Sequence, residues 1–408
     1  MVDRLTQEHI HEYEKQGFVI VRGLFSEEEL ERVAAGVVRS VKRADLEERK
    51  KVYPAPASQF TVDSRYIEDP GLSYIAAHPF VVGAAQTLLG GPVALSASVA
   101  YLKTPGARGT SGDYGGSHPT AHQDYKTYQQ AGSSVNWLFA IAPLVDLEEE
   151  IGALAVSPGS FKISRKVRQG RVWRVERARA DEIAPMEDSR LRRGDLLLMN
   201  MFTWHEAGPN QAQRERYGIY NKYRALNAPP ACGPDLFSDK AHEMVNYEGR
   251  SLLPHHGDCG IANVRLLLEQ DEQFLLVRAN GGWELPGRPL AEDQQAPYGN
   301  LVGAAQELGC EELGAELPWL SYVGDFEESG RLCRVYAYPF GEGAEFQIAD
   351  GVEAEWFAIA QLRQLALQGA LVGGYEPEVA ALWVSPDYMR GIGEAGRTAA
   401  SKNQGQVG

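Results

Sequence analysis

Thr120-Ala121-His122-Gln123-Asp124-Tyr125 is the stretch on which the reading of this chain turns. His122 and Asp124 are separated by one residue, and on an extended backbone residues two apart point to the same face. An imidazole and a carboxylate therefore converge on one point. Trp204-His205-Glu206-Ala207-Gly208-Pro209-Asn210 offers a second imidazole from a distant part of the chain. Two histidines and one carboxylate fill one face of an octahedron and leave the other face open, the pattern of a non-haem Fe(II) centre. An H-x-D alone carries little, because a chain of this length shows one by chance about as often as not. The stretches around it decide the matter.

Upstream, residues 6–16 are polar and helix-compatible, with Thr6 as cap, and Gly17-Phe18-Val19-Ile20-Val21 reads as a short buried strand. Ser26-Glu27-Glu28-Glu29 supplies a capping serine and first-turn acids, with Leu30, Val33 and Val37 following at helical spacing. Val93 to Lys103 is a β-type run closed by the turn Thr104-Pro105-Gly106, and Val135 to Ile141 reads as an interior strand. Gly152-Ala153-Leu154-Ala155-Val156-Ser157-Pro158-Gly159-Ser160 predicts a strand turned back at Pro158-Gly159. Arg193-Gly194-Asp195 launches Leu196 to Asn200, with His205 just beyond that strand's end, and Tyr217 to Arg224 alternates as a strand.

H-x-D, G-A-L-x-V-x-P-G-S, R-G-D-L-L-L and H-x-x-G-P-N-x(5)-R occur here in that order, over about Leu5 to Arg224. In this the chain resembles the phytanoyl-CoA dioxygenase (PhyH) family of Fe(II)/2-oxoglutarate-dependent oxygenases. The resemblance implies a double-stranded β-helix, the jelly-roll or cupin-like fold, with His122, Asp124 and His205 as iron ligands and as the catalytic set. It also implies 2-oxoglutarate and O2 as co-substrates, the former being decarboxylated to succinate and CO2 as a small-molecule metabolite is hydroxylated. Desaturation or cyclisation at the same iron site is the alternative outcome. In the related halogenases the carboxylate position is Gly or Ala; Asp124 therefore favours oxidation without chloride.

The family anchors 2-oxoglutarate on an arginine eleven positions after the distal histidine, which is Arg216 here. A planar guanidinium suits a carboxylate through two parallel charge-assisted bonds. Arg214 is the backup, Lys103 lies where the family often places a co-substrate-binding lysine, and Trp137 is a candidate for the same pocket or for the core. Tyr125 follows the aspartate and is a candidate for lining the substrate side. His118 has no phase that ties it to the metal.

Composition shifts after Arg224. Asn227-Ala228-Pro229-Pro230 closes the first unit, and a polar segment runs to Pro254-His255-His256, which reads as linker. Ala262 to Leu268, a turn at Gln270-Asp271-Glu272, and Phe274 to Arg278 predict a β-hairpin leading into Gly282-Trp283-Glu284-Leu285-Pro286-Gly287. This, with Gly351 to Phe357 and the following Leu362, resembles the Nudix fold. Anchored on Gly309, the positions that carry Arg, Glu and Glu in a working Nudix box are Val302, Gly303 and Gln306, and only Glu307 survives. Pyrophosphate cleavage needs clustered carboxylates to hold Mg²⁺. The expected organisation is thus a mostly β protein with helices: an oxygenase domain over 1–230, a linker over 231–258, an α/β Nudix-like, non-hydrolytic domain over 259–395, and a disordered tail over 396–408. A homodimer contact through the Nudix-like domain is a further expectation. The rival reading is a Nudix-type pyrophosphohydrolase with an accessory jelly-roll.

The whole composition fits. A net charge of −15 over 408 residues argues against a nucleic-acid or anionic-membrane surface. Cys232, Cys259, Cys310 and Cys333 form no C-x-x-C pair, which disfavours a thiolate zinc site and fits a reduced, cytoplasmic setting. The N-terminus lacks a signal-peptide pattern, and no membrane-length apolar stretch is expected.

Overall fold

The computed structural model describes residues 4–43, 67–103, 105–106, 121–124, 136–163, 165–176, 181–229, 237–253, 260–294, 300–341 and 348–385. Tyr125, His118, His255, His256, Cys232, Cys259 and the tail after 385 lie outside these.

The first helix, α1 (Gln7–Gln16), begins as its sequence predicts: the Thr6 hydroxyl accepts from the His9 N–H, and the His9 ring accepts from the Thr6 N–H. It ends on Gly17 at φ 86°, under Phe161 and Thr203, where only glycine fits. Strand β1 (Phe18–Val21) follows, then α2 (Glu27–Arg43), capped reciprocally by Ser26 and Glu29. Next come α3 (Pro70–Ala76) and α4 (Pro79–Leu89), each opened by a proline in its first turn. Residues 70–89 are together long and apolar enough to span a membrane, which amends the expectation that no such stretch exists. The stretch is nevertheless broken at Pro79, and its Leu72, Ile75, Phe80, Val81 and Val82 are buried in the first core.

The strands of this half are β2 (Val93–Lys103), β3 (Trp137–Pro143), β4 (Leu154–Val156), β5 (Arg165–Gln169), β6 (Val172–Glu176), β7 (Glu187–Asp188), β8 (Leu196–Asn200), β9 (His205–Ala207) and β10 (Arg216–Ala225). A five-stranded antiparallel sheet runs β1-β8-β3-β10-β2, and a three-stranded sheet runs β7-β4-β9. Leu197, Leu138 and Ile219 of the first sheet and Leu154, Val156 and Ala207 of the second belong to one buried cluster, so the two sheets share a core. Beyond Pro158-Gly159 the chain departs from the expected simple return. It makes a 3-10 turn over Ser160–Ile163, forms the separate β5–β6 hairpin, and only then pairs back on β4 as β7.

The segment expected as a linker also packs. It holds α5 (Asp239–Met244) and the small hairpin of β11 (Asn246–Tyr247) and β12 (Arg250–Ser251). Ala241, Val245, Leu252 and Leu253 join the first core, and the Leu95 N–H donates to the Leu252 carbonyl at 2.7 Å.

A second, seven-stranded sheet is built from β13 (Ile261–Gln270), β14 (Gln273–Ala279), β15 (Gly282–Glu284), β16 (Gly287–Pro289), β17 (Ser321–Glu328), β18 (Arg331–Pro339) and β19 (Ala354–Ala358). The run Leu266-Leu267-Leu268 alternates between its two faces. Leu266 and Leu268 pack against α6 (Leu301–Glu312), whereas Leu267 packs with α7 (Ile359–Leu367) and α8 (Glu376–Trp383). A strand covered on both faces reads as a continuous apolar run. The predicted hairpin exists only at its tip, where Asp271 and Glu272 take φ 51° and 62° and Glu269 and Gln270 pair with Phe274 and Gln273. Away from the tip the strands separate, and β13 pairs in parallel with β18, a partner about 70 residues away in sequence.

Candidate metal centre

His205 is the first residue of β9, and β9 is held against β4 with His205 opposite Val156. His122 lies on the other side of β9. Its N–H donates to the His205 carbonyl at 2.9 Å, and the His205 N–H donates to the His122 carbonyl at 3.0 Å. Residues directly opposite in an antiparallel pair project to the same side, and the two rings accordingly stand 4.4 Å apart between centroids. Asp124 adds its carboxylate from two positions further along: Oδ1 is 3.7 Å from the His122 Nε2, and Oδ2 is 3.8 Å from the His205 Nε2. These separations are too long for hydrogen bonds. They suit donors around a common ion, since two ligands at about 2.1 Å from a metal stand no more than about 4.2 Å apart.

All three donor atoms lie within 4.8 Å of one another, so an ion would draw the set in only slightly. The His205 Nδ1 is 3.0 Å from the Thr203 carbonyl, which can only accept, so that nitrogen carries the proton and Nε2 presents its lone pair. The side chains are 17%, 19% and 9% exposed for His122, Asp124 and His205, enough to admit a ligand on one side and little more.

A second feature is a pair of buried cations. Lys103 ends β2 and Arg216 begins β10, and the two are directly opposite in the register. Lys103 is 0% and Arg216 1% exposed. The Lys103 ammonium donates to the Gly208 carbonyl, and the Arg216 guanidinium donates to the Gly152 carbonyl and, at 3.0 Å, to the Tyr220 hydroxyl. Among the described residues neither has a carboxylate partner. Burying an ion costs several kcal/mol, and a hydrogen bond between a charged group and a neutral one returns only about 1.5–3 kcal/mol. Among the described residues, the Lys103–Arg216 pair is therefore held by neutral acceptors alone. Burial, with the neighbouring Arg216 charge adding to it, pushes the Lys103 ammonium down to about 7.

Two close approaches shape this corner. Gly152 sits at φ 83° against Gly208, and a Cβ there would lie 2.3 Å from the Gly208 oxygen. Asn210 is fully buried; its amide donates to the Lys103 carbonyl at 3.0 Å and to the Arg214 carbonyl at 2.9 Å. The G-P-N stretch thus folds its own loop back on the end of β2.

Of the residues singled out in the sequence, His122, Asp124 and His205 come together, and Lys103 and Arg216 come together. Arg214 does not join them: it faces outward, half exposed, and pairs with Glu148 at 2.6 Å. Trp137 does not join Arg216 either. It is buried in the first core opposite Arg224, at the far end of β10. Sequence reasoning missed Thr203, Gly152 and Gly208, which act through carbonyls and carry no side-chain signal. It also missed Tyr220, whose position four residues from Arg216 on an alternating strand places it on the same face.

A His-Asp-His triad that could hold a metal, set in a β-rich core, agrees with what comparison with known sequences finds. The profile of the phytanoyl-CoA dioxygenase (PhyH) family matches residues 13–218, and the chain belongs to that family. Two curated relatives, the ectoine dioxygenases of Bordetella parapertussis (strain 12822) and Bordetella bronchiseptica (strain RB50), are each 27% identical over 164 residues, covering 39% of this chain and 51% of the relative. The chain thus spans about half the length of the curated relatives it matches. Among solved structures, EctD from S. alaskensis with 2-oxoglutarate and 5-hydroxyectoine matches at 16% identity and a TM-score of 0.42, over 55% of this chain and 79% of that one. The non-heme α-ketoglutarate-dependent carbocyclase SnoK from nogalamycin biosynthesis matches at 23% identity and a TM-score of 0.40, over 56% and 87%.

Proposed function

We propose that this protein is an Fe(II)/2-oxoglutarate-dependent dioxygenase that hydroxylates a small-molecule metabolite, with its first half folded as a double-stranded β-helix. The observation that carries the reading is the pairing of two features: a 2-His-1-carboxylate set and, in the same domain, a buried Lys103–Arg216 pair that has no carboxylate partner among the described residues. His122, Asp124 and His205 would hold the metal. A bound Fe(II) with three protein ligands supplies open positions at which a keto acid and O2 are activated. Arg216 and Lys103 are the natural seat for the far carboxylate of 2-oxoglutarate, since a dicarboxylate brings the negative charge the pair lacks. Binding would draw the two cations off the glycine carbonyls. The Thr203 carbonyl fixes the His205 ring, and Tyr220 steadies the guanidinium.

The second half supports a Nudix-like domain that does not hydrolyse. The helix α6 stands where the box helix is expected, but Val302, Gly303 and Gln306 are buried, and the Gln306 amide donates to the Leu317 carbonyl at 2.9 Å. Glu307, the carboxylate that remains, is paired with Arg288 at 3.1 Å and accepts from Gln294 at 3.0 Å. Glu307 is thus engaged by a guanidinium and an amide, which leaves it poorly placed to take Mg²⁺ as well.

The test is succinate formation from 2-oxoglutarate by the iron-loaded protein, measured with and without candidate metabolites; ectoine, named in the relatives, is the first to try. Asp124→Ala and His122→Ala are expected to lose at least 100-fold in turnover and to bind Co(II) weakly. Wild-type-like succinate formation in Asp124→Ala would remove the assignment.

A further inference from the structure

Among the described residues, the two cores touch in two places. The first is at the end of β10. The Arg224 guanidinium lies 5.3 Å over the Tyr322 ring, Arg334 lies 5.2 Å from the same ring, and the Tyr322 N–H donates to the Asn227 carbonyl at 2.7 Å. Arg334 is itself fully buried and held by both oxygens of Asp325, at 2.8 and 2.9 Å. The second is at the β5–β6 hairpin, where Arg171 pairs with Glu311 of α6 and Arg168 with Glu316 just beyond it. The hairpin sequence is basic, with Arg165, Lys166, Arg168, Arg171 and Arg174, and it meets acidic side chains in a chain whose net charge is −15.

One contact is rooted in the strand that carries Arg216, the other next to the segment that braces the neighbour of His205. The strand β10 has Arg216 at its start and Arg224 near its end, roughly 26 Å apart at about 3.3 Å per residue. The hairpin leaves from the segment that braces Trp204, next to His205. There the Ser157 N–H donates to the Trp204 carbonyl at 2.8 Å, and the Trp204 N–H donates to the Ser160 hydroxyl at 2.9 Å. Its other arm leads back to β7, which pairs with β4, the partner of β9.

We propose that the C-terminal core is a positioning partner of the metal centre: it clamps the far end of β10 and the β5–β6 hairpin, and so fixes the strand bearing Arg216 relative to the strand bearing His205. This rests on the dioxygenase reading and adds a role for the second half. The face of α6 that a hydrolase would turn to Mg²⁺ and substrate is given over to arginines: Arg288 holds Glu307 and Glu311, and Arg171 shares Glu311. The division of labour follows from exposure. Arg168, Glu316, Arg171 and Glu311 are 39–55% exposed, so each pair is screened by salt and adds about two- to fivefold to the docked population. At the Tyr322 junction Arg224 and Arg334 are buried, so that contact is the more enclosed of the two.

The experiment uses the full chain. Arg168→Glu is expected to raise amide exchange across residues 165–176 about fivefold at low ionic strength, with the difference shrinking in 1 M salt. Because the hairpin leaves from the segment that braces Trp204, next to His205, Co(II) affinity, read from the d–d bands of the metal alone, should fall about threefold or more. The swapped pair Arg168→Glu with Glu316→Arg should restore both. Unchanged exchange in Arg168→Glu, or loosened exchange with unchanged Co(II) affinity, overturns the clamp and leaves the metal centre standing. Failure of the unmodified chain to bind Co(II) removes the metal centre, and with it anything to position.

Discussion

Replacing Arg216 by Met keeps the side chain's length and removes the two parallel donors a carboxylate needs. With charge-assisted bonds worth about 1.5–3 kcal/mol each, 2-oxoglutarate should bind over 100-fold more weakly. Arg214→Ala, which removes only an exposed pair with Glu148, should leave binding within about twofold. Equilibrium titration of the metal-loaded protein separates the two, and the reverse ranking would move the anchor to Arg214. Lys103 makes a pH-dependent prediction. Its ordinary value of 10.5 is lowered to about 7 in the fold, so between those values the unfolded chain holds a proton that the folded chain lacks. This residue's contribution to stability therefore rises with pH through that window and is lost as pH falls toward 7. A dicarboxylate reverses the shift: at pH 8 its binding should take up close to one proton, visible as a calorimetric heat that varies with the buffer's ionisation enthalpy. In Lys103→Met the uptake should vanish, and an equal uptake in that variant would assign the proton elsewhere.

At the scale of elements, the corner formed by Gly152 and Gly208 is the most constrained part of the site. Gly152→Ala would put a Cβ 2.3 Å from the Gly208 oxygen at a φ of 83°, costing about 1–3 kcal/mol and parting the loops that receive Lys103 and Arg216. Thermal unfolding should show the loss and 2-oxoglutarate titration a weaker Kd; a native-like melting temperature would mean the corner yields easily. What the chain's letters reveal follows from the same contacts. The convergence of His122, Asp124 and His205 is legible because alternation along strands and the G-P-N stretch are side-chain patterns. Arg216 is singled out by the family resemblance, while its inward direction emerges only in the fold, where it opens β10 opposite Lys103. The Thr203, Gly152 and Gly208 carbonyls are not legible, because any residue has a carbonyl. Nor is the β5–β6 hairpin, whose Arg168 and Arg171 find their partners 140 or more positions away in Glu316 and Glu311. The parallel pairing of β13 with β18 is hidden for the same reason: local turn residues foretell a hairpin, while the ladder is made with a distant strand.

For the whole molecule, one chain carries two cores with different fates. In the first, His122, Asp124 and His205 converge and Lys103 and Arg216 lie side by side in the interior; in the second, Glu307 of α6 is held by Arg288. No Mg²⁺-dependent release of phosphate or pyrophosphate from nucleoside diphosphate derivatives is expected, and release that persists in Asp124→Ala but stops in Glu307→Gln would restore the hydrolase reading. The Arg288 ion pairs also bear on any attempt to rebuild such chemistry. Introducing acids at 303 and 306 would bury new carboxylates on a helix already engaged by the Arg288 guanidinium, which would compete with a divalent ion for them. An engineer wanting phosphate-ester cleavage from this scaffold would have to evict the arginine first, and in doing so would unfasten the helix from the strand β16.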